Sequence, residues 1–443
     1  MGYNPVAGAP GPHKMPGMEP LELVRRLVTS GPICDHCLGT RFAGLGHGLT
    51  ARERGRILRA AVEGGRVEPS SCWVCGGLFA RAPEWAARAV ELAEGYEHRT
   101  FLFGVHESPR LSATQEFLDR KFPSPWAEPV RRELNRELGR HYELLLGREV
   151  QVDFRRPELR FTVDLETGEI ELHVASAFFY GRYRKLARGI PQTHWPCRAC
   201  RGRGCEKCGF TGKQYPTSVE ELILPAFLEA CGGEGGHLHG AGREDVDARM
   251  LGRGRPFVLE VKAPKRRTVD LPEVARRINE EARGKVEVLD LRPATAELVE
   301  RVKDLKARKR YRARVAFDRP VAEEELERAL AGLVGEIAQR TPVRVAHRRA
   351  DRVRKRQVYE TRGRVLSPTE AEIELLCDGG LYVKELVSGD EGRTQPSLAA
   401  LLGAPAQVTE LDVLEVLDGL TAEKLEDTGL QENAKPQRLE EDP

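Results

Sequence analysis

Eight of the ten cysteines fall in four C-x-x-C pairs, at 34/37, 72/75, 197/200 and 205/208, and nothing else in the chain restricts its fold as tightly. Each pair presents two thiolates from one tight turn, and two pairs make a closed tetrahedral S4 site for Zn²⁺. Cys34, Cys37, Cys72 and Cys75 are therefore expected to hold one ion. Cys197, Cys200, Cys205 and Cys208, with only four residues between the knuckles, are expected to hold another. All four positions of such a site are filled, so one or two zinc ions would be structural. For the second cluster a redox dithiol pair and plain reduced cysteines stay open. Cys231 and Cys377 read as small buried residues. Spacing of this kind indicates chelation in a reducing cytoplasm rather than disulfides. No apolar run approaches the roughly 20 residues of a membrane helix, and no signal-peptide core is present.

At 443 residues the chain is long for one core, so two or three domains are expected. Its 70 basic and 68 acidic residues nearly cancel, so attraction to nucleic acid must come from local surface. Dense Glu and Arg with few Met and aromatic residues fit a heat-adapted protein. Residues 1–18, rich in Gly, Pro and Met, and the polar 431–443 are expected to be disordered tails. Residues 20–79 read as a zinc-clamped segment with helices at 20–29 and 50–63, the second capped by Thr50. Residues 80–178, or from as early as 50, read as a mixed α/β module. It has helices at 82–95 and 126–145, a strand at 100–105 and a hairpin of 160–164 with 169–173. Residues 179–215 join a basic aromatic stretch to the second cysteine cluster. From 216 to 430, a capping box at Ser218-x-x-Glu221 opens a catalytic core of α/β or α+β type. Its strands are expected at 257–262, 286–291, 310–317, 343–347 and 371–376, and its helices at 271–283, 294–304 and 322–339.

The segment Gly242-Arg243-Glu244-Asp245-Val246-Asp247-Ala248-Arg249 puts a carboxylate in a turn between strands. An arbitrary R-x-D is a salt-bridged surface turn. This one resembles the active-site motif of pseudouridine synthases, in the G-R-x-D form of the TruA-like branch. The run from Gly242 to Phe257 is similar to the archaeal and eukaryotic tRNA pseudouridine synthase family that modifies uridines 54 and 55 of the T-loop. Three further stretches match in that family's order. They are Tyr183 to Thr193, then Lys309-Arg310-Tyr311-Arg312, then Gly380-Leu381-Tyr382-Val383-Lys384-Glu385 continued by Gly392-Arg393-Thr394-Gln395-Pro396. The second cysteine cluster, whose glycines also resemble the zinc repeats of DnaJ chaperones, is present in archaeal members. The resemblance spans about 20–425, is weakest over 80–178, and identifies the chain as an archaeal member.

The resemblance implies an α+β fold: a catalytic core with a mixed, largely antiparallel sheet, preceded by zinc and a THUMP-like RNA-binding module. It implies Asp245 as the catalytic carboxylate and Lys384 as its charge partner. It gives Tyr311 the role of platform under a flipped base, or of proton acceptor, and Tyr382 that of second substrate contact. Arg243 would hold phosphate or fill the vacated stack, and Val383 and Leu411 would close the pocket. The chemistry asks for these types. Pseudouridine formation detaches uracil from C1′, turns it and rejoins it through C5, without redox change or organic cofactor. An unperturbed aspartate, which titrates at about 3.9, is ionised at neutral pH, and a nearby cation keeps it so. The base must leave its stack at a cost of a few kcal/mol, which an aromatic face offsets in part. The implied partner is tRNA, through its T-loop and acceptor end, for a cytoplasmic protein without membrane attachment; a monomer is expected.

Residues 344–364 hold Arg344, His347, Arg348, Arg349, Arg352, Arg354, Lys355, Arg356, Arg362 and Arg364. Apolar alternation is poor there, so an exposed loop or hairpin is expected, either tracking phosphates or merely solvated. Tyr180 to Arg188 interleaves Tyr with Arg and Lys and reads as a second RNA contact. His237-Leu238-His239 reads as part of a flexible glycine loop rather than a metal site. Two other function classes compete. A noncatalytic zinc-stabilised RNA-binding or chaperone-like protein would leave the ordered Asp245, Tyr311 and Lys384 motifs unexplained. A THUMP-bearing methyltransferase or sulfur-transfer enzyme would need a glycine loop running from strand into helix; after Gly252-Arg253-Gly254-Arg255-Pro256 a strand is expected instead.

Overall fold

The computed structural model describes residues 19–348 and 350–420, with backbone alone at 347 and 348. The tails expected at 1–18 and 431–443 lie outside the described residues. Two compact units meet in sequence at 175/176.

The first unit runs α1 (Pro20–Thr29), α2 (Asp35–Thr40), α3 (Ala51–Ala60), α4 (Leu78–Leu92), β1 (Thr100–His106), α5 (Pro109–Lys121), α6 (Val130–Leu146), β2 (Gln151–Val152), β3 (Leu159–Asp164) and β4 (Ile170–Val174). Thr50 starts α3 through a reciprocal box. Its Oγ1 accepts from the Glu53 amide at 3.2 Å, and its own amide donates to the Glu53 carboxylate at 2.9 Å. Such a cap is worth about 1 kcal/mol. The sheet has the order β2-β1-β3-β4, with β1 parallel to both neighbours and β3–β4 a hairpin. Phe101, Phe103 and Phe161 on the sheet pack around Tyr142 of α6, with ring centroids 4.8–5.6 Å from it. The cysteines at 34, 37, 72 and 75 belong to this same core. Packing does not break at 79/80, because α4 crosses it and Phe79 stacks on His36 at 4.3 Å. The helix α5 has no counterpart among the elements expected from the sequence. It buries only Leu111 and Leu118, too sparse a stripe to read as periodic.

The second unit runs β5 (Ala177–Lys185), α7 (Val219–Cys231), β6 (Gly235–Gly240), β7 (Ala248–Lys262), α8 (Leu271–Glu281), β8 (Val286–Ala294), α9 (Ala296–Lys303), β9 (Arg308–Phe317), α10 (Glu323–Ala331), β10 (Gly335–Arg340), a 3-10 turn (Val343–Arg348), β11 (Val353–Ser367), β12 (Glu370–Cys377), α11 (Val383–Ser388), β13 (Thr394–Gln395), α12 (Leu398–Leu402) and β14 (Ala406–Leu417). The sheet order is β13-β10-β11-β12-β9-β14-β7-β5-β8, with β6 added on β7. Every pairing is antiparallel except β14 with β7. The expected α+β class with a largely antiparallel sheet is what the chain adopts.

Several local expectations fail for identifiable reasons. The helix expected at 322–339 stops at Ala331, and Gly332 and Gly335 turn the chain into β10. The strand expected at 343–347 is the 3-10 turn that follows Pro342. The glycine stretch at 235–240 is a strand, because β7 supplies a complete ladder for it. His237 and His239 pair there with Lys262 and Glu260.

Candidate active site and cysteine clusters

Asp245 sits in the turn from β6 to β7. The turn begins at Gly242, whose φ of +70° would strain a side chain. Beside it opens a cavity of about 600 Å³. Tyr311 reaches it from β9 and Leu411 from β14, while Tyr382 and Val383 come from the start of α11. Arg243 stands exposed on the rim. Of the residues expected at the site, only Lys384 is not part of this wall, and it lies next to it.

The charges around Asp245 include a cation beyond the one the sequence suggested. Arg344 meets the carboxylate as a fork, with Nη1–Oδ1 and Nη2–Oδ2 both 3.2 Å. Glu385 holds the same guanidinium from the other side, 2.5 Å from Nε. Lys384 donates to Asp247 at 2.6 Å and remains 3.7 Å from Asp245. A planar guanidinium matches a carboxylate in two bonds, which an ammonium cannot do. Burial, followed by the neighbouring Cys377 thiol, pushes the Tyr311 phenol up, so it stays neutral. Burial and the charge of Arg255 push Lys309, also on the wall, down to about 7. Gln339 fixes the backbone of Tyr382, accepting from its amide at 2.8 Å and donating to its carbonyl at 3.0 Å.

Each cysteine quartet converges, with its sulfurs within 4.8 Å of one another. Sulfurs lie 4.0 Å apart for Cys34 and Cys75, and 3.7 and 3.9 Å apart for Cys208 with Cys205 and Cys200. Tetrahedral zinc with bonds of roughly 2.3 Å asks for about 3.8 Å. Backbone amides point at the sulfurs, from Cys34 to Cys72, Gly204 to Cys200 and Gly212 to Cys208, at 3.2–3.3 Å. Gly204 is required in the second knuckle, since a Cβ would lie 2.8 Å from the Phe210 carbonyl. Both quartets are thus compatible with structural zinc.

The comparisons with known proteins converge. Residues 178–417 match the family model "Pus10, C-terminal", and residues 85–164 match "Pus10 THUMP domain, archaeal". The tRNA pseudouridine synthase Pus10 of Methanothrix thermoacetophila is 45% identical, over 88% of this chain and 93% of that protein. The one from Halorubrum lacusprofundi is 46% identical, over 90% and 96%. The chain belongs to the Pus10 family of tRNA pseudouridine synthases. Among solved structures, a chain of a Cbf5-Nop10-Gar1 complex matches with a TM-score of 0.30 and 15% identity, covering 54% of this chain and 50% of that one. That likeness is too low to carry an argument.

One of the two surfaces expected to contact RNA in this Pus10-family chain is built otherwise. The segment from Tyr180 to Lys185 is not a surface. It is a strand between β7 and β8, with Tyr180, Arg182, Tyr183 and Lys185 buried. Arg182 is satisfied by two bonds to Asp418, at 2.8 and 2.9 Å. The basic run at 353–367 is β11, the largely exposed arm of a hairpin with β12, so the hairpin expected there is present; neighbouring strands pair its Lys355, Arg362 and Arg364 with Glu336, Glu374 and Glu372. The side chains of 347–349 lie outside the described residues. Sequence reasoning missed Arg344 as a partner of Asp245. It also missed Lys303, Lys306 and Lys309 on the cavity wall. Lys309 stands two residues before Tyr311 on the same strand face, a spacing of two that offered the one available clue.

Proposed function

We propose that the chain isomerises uridines 54 and 55 in the tRNA T-loop to pseudouridine, with Asp245 as the catalytic carboxylate. The observation that carries this reading is the fork of Arg344 on Asp245 at the wall of a cavity framed by Tyr311 and Tyr382. The target base flips into that cavity, at a cost of a few kcal/mol. Neutral Tyr311 suits a face for the base better than a proton acceptor. Asp245 acts on the ribose, either by attack at C1′, from which C5 later displaces it, or by taking the C2′ proton, which it later returns. The N1–C1′ bond breaks, the uracil turns, C5 bonds to C1′ and loses its proton, and N1 gains one. Tyr382 contacts the substrate, Val383 and Leu411 close the pocket, and Lys384 keeps Asp247 and the turn charged and aimed. Arg243, Lys303 and Lys306 present positive charge to phosphates around the mouth.

The cysteine quartets hold structural zinc, which supplies cross-linking and no chemistry. Ten free cysteines suit a reducing cytoplasm. Among the described residues no helix is long and apolar enough to cross a membrane. Residues 20–79 with 80–178 grip the acceptor end of the tRNA, and 216–430 carry the chemistry. Within the first unit a cleft of about 760 Å³ is lined by Arg52, Arg56, Arg59, Arg66, Arg140 and His141, with Asp35, Glu53 and Glu137 among them. Arg59 is tied to Asp35, but Arg52 and Arg56 lie one turn apart and exposed on α3, as a phosphate-tracking surface would require.

The deciding experiment maps pseudouridine in the T-loop of an unmodified tRNA transcript. Asp245→Asn is expected to abolish product while leaving tRNA affinity within about threefold; retained turnover refutes the reading. Arg52→Glu with Arg56→Glu is expected to weaken binding and to lower the salt dependence by roughly two counterions.

A further inference from the structure

The turn that carries Asp245 is gripped from behind by a buried ionic group that the chemistry above does not use. Glu244, next in sequence, turns its carboxylate inward, where the side chain is 1% exposed. Tyr183 donates to it at 2.9 Å and Arg255 Nε at 2.9 Å, and Lys185 Nζ lies 3.6 Å away. These partners then hold backbone carbonyls of the turn. Arg255 Nη1 donates to Ala241 at 2.6 Å. Lys185 donates to Asp245 at 3.1 Å, to Val246 at 3.2 Å and to Ile190 at 2.7 Å, which uses all three ammonium protons. Gln192 bridges the Tyr183 hydroxyl and the Gly242 carbonyl, both at 2.9 Å.

Packing alone does not account for such a group. Burying a carboxylate with two cations is costly, and apolar residues of equal volume often hold a fold as well or better. What it does supply is fixed backbone at Ala241, Gly242, Asp245 and Val246. We propose that Glu244 and Lys185 are positioning residues that set the backbone of the turn, and so the aim of Asp245 at the ribose. Lys185 grips the Asp245 carbonyl directly, and Glu244 keeps Lys185 and Arg255 paired in place. The inference rests on Asp245 being the catalytic carboxylate. Misplacing a reacting group by about 1 Å costs on the order of 10²-fold in rate, which sets the expected scale.

The test uses full-length protein and measures pseudouridine formation in single turnover at saturating enzyme, with tRNA affinity and thermal unfolding in parallel. Glu244→Gln keeps the shape and removes the charge. It is expected to lower the saturated rate by about 10²-fold while tRNA affinity changes by less than about threefold, at temperatures well below unfolding. Lys185→Met is expected to do the same. The double variant is expected to be no slower than the slower single one, because the two act as a unit. A rate within twofold of the parent, or a loss seen wholly in tRNA affinity, overturns the proposal. If Glu244→Gln does not fold, Gln192→Leu carries the test by releasing the Gly242 carbonyl and the bond to the Tyr183 hydroxyl while leaving Glu244 and Lys185 in place. A fall of about tenfold at unchanged affinity supports the proposal and an unchanged rate overturns it. Asp245→Asn run alongside separates the two readings. If it is inactive while Glu244→Gln is at full rate, only the positioning role fails; if it retains turnover, both fail.

Discussion

The two cysteine quartets have the same composition and opposite settings. Cys34 and Cys37 are 0% exposed, and Cys72 and Cys75 nearly so, inside the core that also holds Leu23, Phe79 and Trp85. The second quartet lies in the connection from β5 to α7, with Cys205 and Cys208 only half-buried and no share in a hydrophobic core. Sulfur geometry is alike in the two; what differs is how much structure hangs on each. A quartet within a core links α2 to the segment before α4, so its ion would substitute for secondary structure across residues 34–75. A quartet in a connection shapes only its own loop. The difference teaches that identical ligand sets can serve folding at two scales.

The sharpest way to break this contrast is Cys37→Ser. Zinc in a four-cysteine site contributes on the order of 10 kcal/mol, comparable to the whole stability of a domain. Metal content should fall from about two ions to about one per chain, and the first unit should lose cooperative unfolding in calorimetry while the second keeps its own transition. A single undisturbed transition would show that the apolar core suffices without metal.

Cys208→Ser should act less. Metal content again falls by one, but the melting temperature should drop by no more than about 4 °C, the equivalent of roughly 1 kcal/mol. Activity should fall a few-fold, because Gln192 and Trp195 on the flank of this loop line the cavity. Collapse of the whole fold would erase the proposed difference in scale.

What the sequence disclosed, and what it hid, follows the same division between local and distant causes. The cysteine spacing, the Thr50 cap and the Gly242 turn are written within a few residues, and the chain reads out directly. Arg344 lies about a hundred residues from Asp245 and inside a basic run in which no arginine is locally distinguishable. Its role exists only once β10 and the turn after it are in place. The strand β5 misleads for a related reason. Its Arg182 and Lys185 look solvent-seeking until Asp418 and the carbonyls of the turn at 245–246 satisfy them. Polar residues that are buried by remote partners carry no periodic signature. The glycine strand β6 similarly owes its conformation to β7.

The smallest expected effect concerns a buried ionic group beside the first quartet. Glu133 of α6 is fully buried, 3.6 Å from His36 Nδ1, 2.8 Å from Arg136 and 3.0 Å from Arg140. Burial alone would raise its pKa; His36 and the two guanidinium groups outweigh this and hold it below the ordinary value of 4.5. A carboxyl depressed in the folded state adds stability that is complete above the unfolded value and is lost as pH falls through the folded one. Glu133→Gln should therefore lower stability at pH 7 by about 0.5–1 kcal/mol, a figure discounted because both arginines are partly solvated. The gap between parent and variant should persist down to about pH 5 and close below the ordinary value of 4.5, as the parent carboxyl takes up its proton. Thermal unfolding across that range checks it, and a gap that does not narrow in acid would mean that Glu133 contributes by packing rather than by charge.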